Sequence, residues 1–335
     1  LQHLRQCSDL FGTAHISDAP LGTVTQSGLL YMPASKDGAA GVFDLQGMAV
    51  PASVNFRGEG RLPIHQALQI SPPTETDRHN GSLLIYVGAM FPHFGHFITT
   101  TMSRFWYLRH VEDRPVRLLC HNFGAISGLF GRPYVGDIFG ALDIGPDDFV
   151  TFDRPTLIES EVVFPSPSFE ENFGGNTAFL KCSRDVGSRL LDNAAVQTDR
   201  PLYLSKAKLP QGVRGFANED EVDAELERQG VNVVYPETLR VREQLEILSG
   251  HKFIMGSVGS ALHSLIFLPE GRRVVGLNQT DRLNSNFLIL DRLCGNTSFY
   301  AFPVIQEEVK SDRFNKAFKI SHPQDVARQM IEALG

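Results

Sequence analysis

Three groups of residues have types and spacings that could do chemistry. Lys206, Lys208 and Arg214 fall within nine residues, directly after the strand Leu202-Tyr203-Leu204-Ser205. Arginine offers a planar donor fork that grips a phosphate bidentately, and lysine offers a point charge. Asn218 stands where a helix should begin, with Glu221 three residues on, the spacing of a capping box. Glu219 between them either turns toward a ligand or belongs to a solvated first turn. The second group is Gly256-Ser257-Val258-Gly259-Ser260-Ala261, followed by His263. Small residues let backbone approach closely, and the free amides opening the next helix attract anions. A tight strand–helix joint would use the same residues; their coincidence with the basic loop is what favours a phosphate or diphosphate. His263 could contact a base or sugar, or be a hydrogen-bonded core histidine. The third group is His93 and His96, in an H-x-x-H loop. An imidazole there could act as general base near neutral pH or donate to phosphate oxygens. Zinc would need a third ligand at ordinary spacing, and no Cys, Asp or His supplies one, so no metal is expected. His96 is the stronger candidate because it directly precedes a helical pattern. Arg104, eight residues later, either points back toward a cleft or covers the helix surface, and His121 marks another possible cleft edge.

The elements that must position these residues follow from periodicity. Residues 203–277 read as strand, basic loop, helix, strand, helix, strand, small-residue turn, helix and strand. That alternation predicts a parallel sheet covered by helices, with ligands at the carboxyl ends of its strands. Earlier, 83–87 (LLIYV) is a compact apolar strand and 97–109 a helix whose apolar face holds Phe97, Ile98, Thr101, Phe105 and Leu108. Strands are expected at 115–119 and 161–164, a loop at 165–175, a helix at 177–191 and a polar connection at 192–200. Residues 1–60 read as short strands between Gly, Pro, Ser and Asp turns. The predicted division is an acceptor-side domain over 1–192, strand-rich at its start, and a donor-binding domain over 193–300. A terminal segment, 301–335, is drawn as crossing back to the first domain.

Composition limits the function classes. A chain of 335 residues exceeds what one core usually serves, so two domains are expected. Hydrophobic residues are 42% and charged residues 21%, as in ordinary globular proteins. A net charge of -7 argues against nucleic acid as partner, since phosphate-dominated binding needs a basic face. No run approaches the ~18 apolar residues of a membrane span, and the opening LQHLRQCSDLF has no secretory signal pattern. Cys7, Cys120, Cys182 and Cys294 are scattered, so reduced thiols in the cytoplasm are expected.

The runs HFGHFITTTMSRFWYL, YLSKAK…RGFANEDEV and GSVGSALHSLIFLPEG occur in this order within 83–277. Together they resemble the bacterial branch of glycosyltransferase family 61. The resemblance implies a GT-B-like α/β fold, two Rossmann-type domains facing across a cleft. It implies an inverting, metal-independent transfer of a sugar from a nucleoside-diphosphate sugar, a UDP-sugar first, to a glycan hydroxyl. No permanently bound cofactor is implied. Such enzymes build capsular, exopolysaccharide or lipopolysaccharide glycans on oligosaccharide or lipid-linked acceptors. They work in the cytoplasm or at the inner face of the membrane, beside membrane-bound assembly machinery. His96 matches the family's first-motif histidine, Arg214 with Asn218-Glu219 its R…NE motif, and Gly259-Ser260-Ala261 with His263 its small-residue motif. Lys206 and Ser257 join the implied donor set, and His93 joins His96 on the catalytic side. Thr100 stands where many relatives carry an acid, Lys206 where Arg is usual, Val258 where the eukaryotic branch has His, and Gly276 where a Glu often follows. The base is then His96 acting alone, or a carboxylate such as Glu170 or Glu171 in its place. The alternative is a non-catalytic nucleotide-sugar or polysaccharide-binding protein on the same scaffold; an epimerase-like enzyme would need an acid–base pair across the sugar.

Overall fold

The computed structural model describes residues 2–34, 40–64, 66–111, 117–191, 198–209, 214–269, 271–311 and 316–335. The chain is a mixed α/β protein with a strand-rich beginning, and it forms two compact units, 13–183 and 1–12 with 184–335.

In the unit 13–183, a five-stranded sheet runs in the order Phe149–Val150, Leu118–His121, Leu84–Ala89, Val162–Pro165 and Thr23–Gln26. The first four are parallel and the last antiparallel. The run at 84–87 is continuously apolar because both faces are covered, and all four side chains are buried. A second sheet joins Gly41–Phe43, Leu29–Met32, Thr156–Ile158 and Asp77–His79. Tyr31, Val42, Tyr86, Leu119, Ile158 and Phe164 share one core. The central strand slips register between Tyr86 and Gly88, and Gly88 takes φ +88°. A Cβ there would lie 3.2 Å from the Asn55 amide, so glycine serves both conformation and space.

The helix after this strand starts earlier than its periodicity suggests. It spans Phe94–Thr99 and continues at 3-10 pitch through Thr101–His110. Gly95 lowers helix propensity, but burial of Phe97, Ile98 and Thr99 outweighs it. His96 therefore stands on the helix, and His93, with extended backbone, precedes its first residue.

The other unit is built on a six-stranded sheet: Leu4–Gln6, Thr297–Pro303, Arg273–Leu277, Phe253–Ser257, Leu202–Leu204 and Asn232–Val234. All pairs are parallel except the Leu4–Gln6 edge. The five parallel strands, numbered along the chain, lie in the order 2-1-3-4-5. Succession reverses between Leu202–Leu204 and Phe253–Ser257, and such a switch point opens a crevice at the strand ends. Helices Glu219–Arg228 and Pro323–Glu332 pack against each other, and Tyr203, Val222, Leu226, Met255, Val275 and Met330 fill the core on that side. Among the described residues no helix is long and apolar enough to cross a membrane.

Candidate active site

The helix Phe94–Thr99 presents His96 with its side chain 44% exposed, while the carboxylate it meets, Glu171, is 2% exposed. Glu171 follows the short strand Phe169–Glu170, in the turn that leads to Gly174–Asn176. His96 Nδ1 lies 2.7 Å from Glu171 Oε1, and the same oxygen accepts from the hydroxyls of Thr99 at 2.5 Å and Thr100 at 2.8 Å. Arg57 forms an ion pair with Oε2. Burial alone would raise this carboxyl's pKa. His96, Arg57 and Thr99 outweigh burial and hold it well below the usual carboxylate range. Glu171 is therefore ionised and accepts only. The hydrogen bond assigns a proton to His96 Nδ1, which leaves Nε2 of a neutral ring with a free lone pair.

The neighbouring residues divide around this pair. The His93 ring lies 5.4 Å from that of His96. Burial, then the charges of His96 and Arg132, lower its pKa against the pull of Glu171. Glu170 does not join His96; its Oε2 lies 3.4 Å from Arg61, and burial raises its pKa. Glu170 ends its strand and Glu171 opens the turn after it, and the change of chain direction there separates the two carboxylates. Arg104 neither covers the helix surface nor reaches outward. It is 0% exposed and donates to Ala52 O at 2.8 Å, Val54 O at 3.3 Å, Asn55 Oδ1 at 2.9 Å and Pro165 O. Burial lowers its pKa to about 10, which leaves it charged at neutral pH. His121 is likewise internal, stacked on Tyr31 at 4.3 Å, with Nε2 3.0 Å from Met32 O. Burial lowers its pKa to about 4, so it is neutral.

The second cluster belongs to the six-stranded unit and lies at the carboxyl ends of Leu202–Leu204 and Phe253–Ser257. Glu219, 1% exposed, accepts at Oε1 from Ser257 Oγ at 2.7 Å, Tyr203 OH at 3.0 Å and Lys206 N–H at 3.0 Å. Burial raises its pKa more than Ser257 and Lys206 lower it. Ser205 Oγ donates to Asp223 at 2.7 Å, and burial beside Glu219 pushes the Asp223 carboxyl up to about 7. Lys206 Nζ lies 3.5 Å from Val258 O, and its side chain runs along Gly259, where a Cβ would come within 3.2 Å of Cδ. The Gly259 backbone is extended, a conformation open to any residue, so what glycine contributes here is room for the Lys206 side chain. Lys208 Nζ stands 3.7 Å above the Tyr235 ring.

The structure thus gathers Lys206, Glu219, Ser257 and Gly259 at the switch point. Ser260 and Ala261 open the helix Ser260–Phe267 that follows. His263 is buried, its ring 5.0 Å from Phe287. Asn218 does not cap the helix it precedes. It pairs with strand Lys316–Ile320 instead, its Oδ1 accepting from Ile320 N–H at 2.9 Å and its amide donating to Ile320 O at 3.0 Å. Arg214 opens strand Arg214–Phe216, paired with Lys316–Ile320, and its side chain lies outside the described residues.

Glu171 is the partner that sequence reasoning did not single out. The Glu170-Glu171 pair was visible, but choosing between them requires the strand's orientation. The glycosyltransferase 61 family model matches residues 94–275, more than half of the chain, and the match takes in His96, Glu171 and the cluster around Glu219. No curated protein matches the chain.

Proposed function

The chain belongs to glycosyltransferase family 61, and from that premise we propose an inverting, metal-independent sugar transferase with His96 as general base. The observation that carries this is the imidazole fixed through Nδ1 by an ionised, buried carboxylate while its side chain stays half-exposed. In the proposed reaction the acceptor hydroxyl gives its proton to His96 Nε2 as its oxygen attacks the anomeric carbon. The bond from that carbon to the diphosphate oxygen breaks, and its electron pair leaves with the diphosphate. Glu171 holds the imidazole's tautomer and stabilises the imidazolium that forms. Charge growing on the departing diphosphate is met by Lys206, Arg214 and the amides of Gly259, Ser260 and Ala261. Glu219, with Asn218 and Ser257 beside it, holds the Lys206 backbone at the switch point.

The proposed division of labour is GT-B-like. The unit around 13–183 handles the acceptor, and the six-stranded unit handles the nucleoside-diphosphate sugar, with UDP first among nucleotides. The acceptor would be an oligosaccharide or lipid-linked glycan of a bacterial surface polysaccharide, used in the cytoplasm or at the inner membrane face. Calorimetry with a panel of nucleoside diphosphates and their sugars tests the donor half, and binding by none of them would overturn it. His96→Ala should retain donor binding and lose about 10²–10⁴-fold in kcat. Undiminished transfer by that variant would remove His96 as base.

A further inference from the structure

A separate group of potential ligands joins the chain's first strand to its last helix, inside the six-stranded unit. We propose that His3, His322 and Asp325 bind a first-row divalent transition ion, zinc in the first instance, with a water in the fourth position. One ligand atom from each residue already lies within 4.8 Å of the others. Zinc bonds of ~2.0–2.2 Å in tetrahedral geometry place ligand atoms roughly 3.4 Å apart. The remaining contraction is within reach of side-chain rotation. One edge is nearly closed, since His3 Nε2 stands 3.6 Å from Asp325 Oδ2. The His3 and His322 rings have centroids 4.8 Å apart and are tilted by 58°, so they are not stacked face to face.

The backbone holding these side chains is fixed by groups that are not themselves ligands. His3 N–H and Leu4 N–H both donate to Gln329 Oε1, at 2.9 and 3.0 Å, and His3 O accepts from Val304 N–H at 2.9 Å. His322 immediately precedes the helix Pro323–Glu332, whose first residue has the fixed φ of proline. Arg328 Nη1 lies 3.3 Å from Asp325 Oδ1, which occupies that oxygen and leaves Oδ2 for the ion. Two imidazoles and one carboxylate suit zinc, cobalt or nickel, whereas magnesium and calcium prefer all-oxygen shells. A helix N-terminus is the wrong end for a cation, an opposition that the Asp325 charge offsets. His322 is exposed, so an ion can enter. The bound ion would tie the Leu4–Gln6 edge strand to the final helix, and no ligand is shared with the His96 or Lys206 clusters.

The test uses the full chain without an affinity tag, stripped with chelator and titrated with zinc chloride by calorimetry. A single ion per chain is expected, with a rise in Tm of about 5 °C at a hundredfold excess over Kd. Cobalt in its place should give the visible absorption of a four-coordinate site. His3→Ala and His322→Gln should each weaken zinc by at least about tenfold, the loss typical even of an outer partner. His322→Gln alters an exposed side chain, so it keeps the test valid should His3→Ala misfold. Unchanged zinc affinity in His322→Gln, or no binding by the parent chain, would overturn the site.

Discussion

In the first cluster, Thr100 offers a hydroxyl to Glu171 at 2.8 Å, so the carboxylate absent from position 100 is present in space. It arrives from a turn some seventy residues along the chain, which is why the sequence showed the vacancy at Thr100 but not which of Glu170 and Glu171 filled it. Glu171→Gln should lower kcat by about 10²–10⁴-fold with donor KM unchanged, because an amide neither enforces the tautomer nor stabilises the imidazolium. Glu170→Gln should stay within a few-fold of the parent, since its carboxylate faces Arg61. Steady-state kinetics of the two variants side by side decide between the carboxylates. In the second cluster, Asp223 makes a pH prediction. Its folded carboxyl keeps a proton until about pH 7, whereas the unfolded chain releases it near the ordinary value of 3.8. The stability this group contributes is full below about 3.8 and is lost as pH rises through about 7, while His121, lowered to about 4, adds stability as pH rises toward its ordinary 6.5. Asp223→Asn should remove that opposing loss, so the variant's Tm should rise more than the parent's between about pH 4 and pH 7. An unchanged Tm-against-pH curve in that variant would show that Asp223 does not hold the proton.

The helix from Phe94 and its 3-10 continuation show what periodicity could and could not supply. The apolar residues Phe97, Ile98 and Phe105 were legible because burial selects them at any helical pitch. Arg104 was not, because a charged side chain reads as surface whichever face carries it. Yet a 3.6-residue period already sets Arg104 beside Phe97, Thr101 and Leu108 on the apolar face. Arg104 thereby enters the core and joins the segment around Ala52–Asn55 to Pro165 through carbonyl and amide oxygens. Arg104→Met would leave several buried acceptors without donors and should cost about 3–5 kcal/mol in chemical denaturation. Lysine cannot span the same acceptors, so Arg104→Lys should recover only part of the loss. A different constraint explains Gly276 in strand Arg273–Leu277. A Cβ there would stand 2.3 Å from the Tyr300 ring, which is fixed by its hydroxyl's donation to Asp291 at 2.7 Å. A glutamate side chain at this position has no room beside Tyr300.

At the scale of the molecule, the alternating strands and helices of 203–277 disclosed a parallel sheet, and its strand order puts the small-residue turn and Lys206 at one switch point. The outermost strand of that sheet was not legible. Leu4–Gln6 pairs antiparallel with Thr297–Pro303, and contacts between segments so distant leave no local pattern. The same segment supplies Asp9–Phe11, parallel to Arg282–Asn284, and Ser8, whose N–H donates to Asp281 at 2.6 Å. Leu4 enters the core shared with Tyr203, Val275 and Met330, behind the strand that carries Lys206. Removing residues 1–12 should therefore uncover Leu4's partners and leave Thr297–Pro303 as a bare edge, a template for pairing between copies. The expected result is a lower Tm, light scattering that grows with concentration, and weaker nucleoside-diphosphate binding. Leu4→Ala separates packing from pairing: it keeps the backbone ladder and should cost about 2–5 kcal/mol without promoting association. If the deletion lowered Tm no further than Leu4→Ala and left the protein monomeric, the first strand would serve as core filler rather than as cover for the sheet edge.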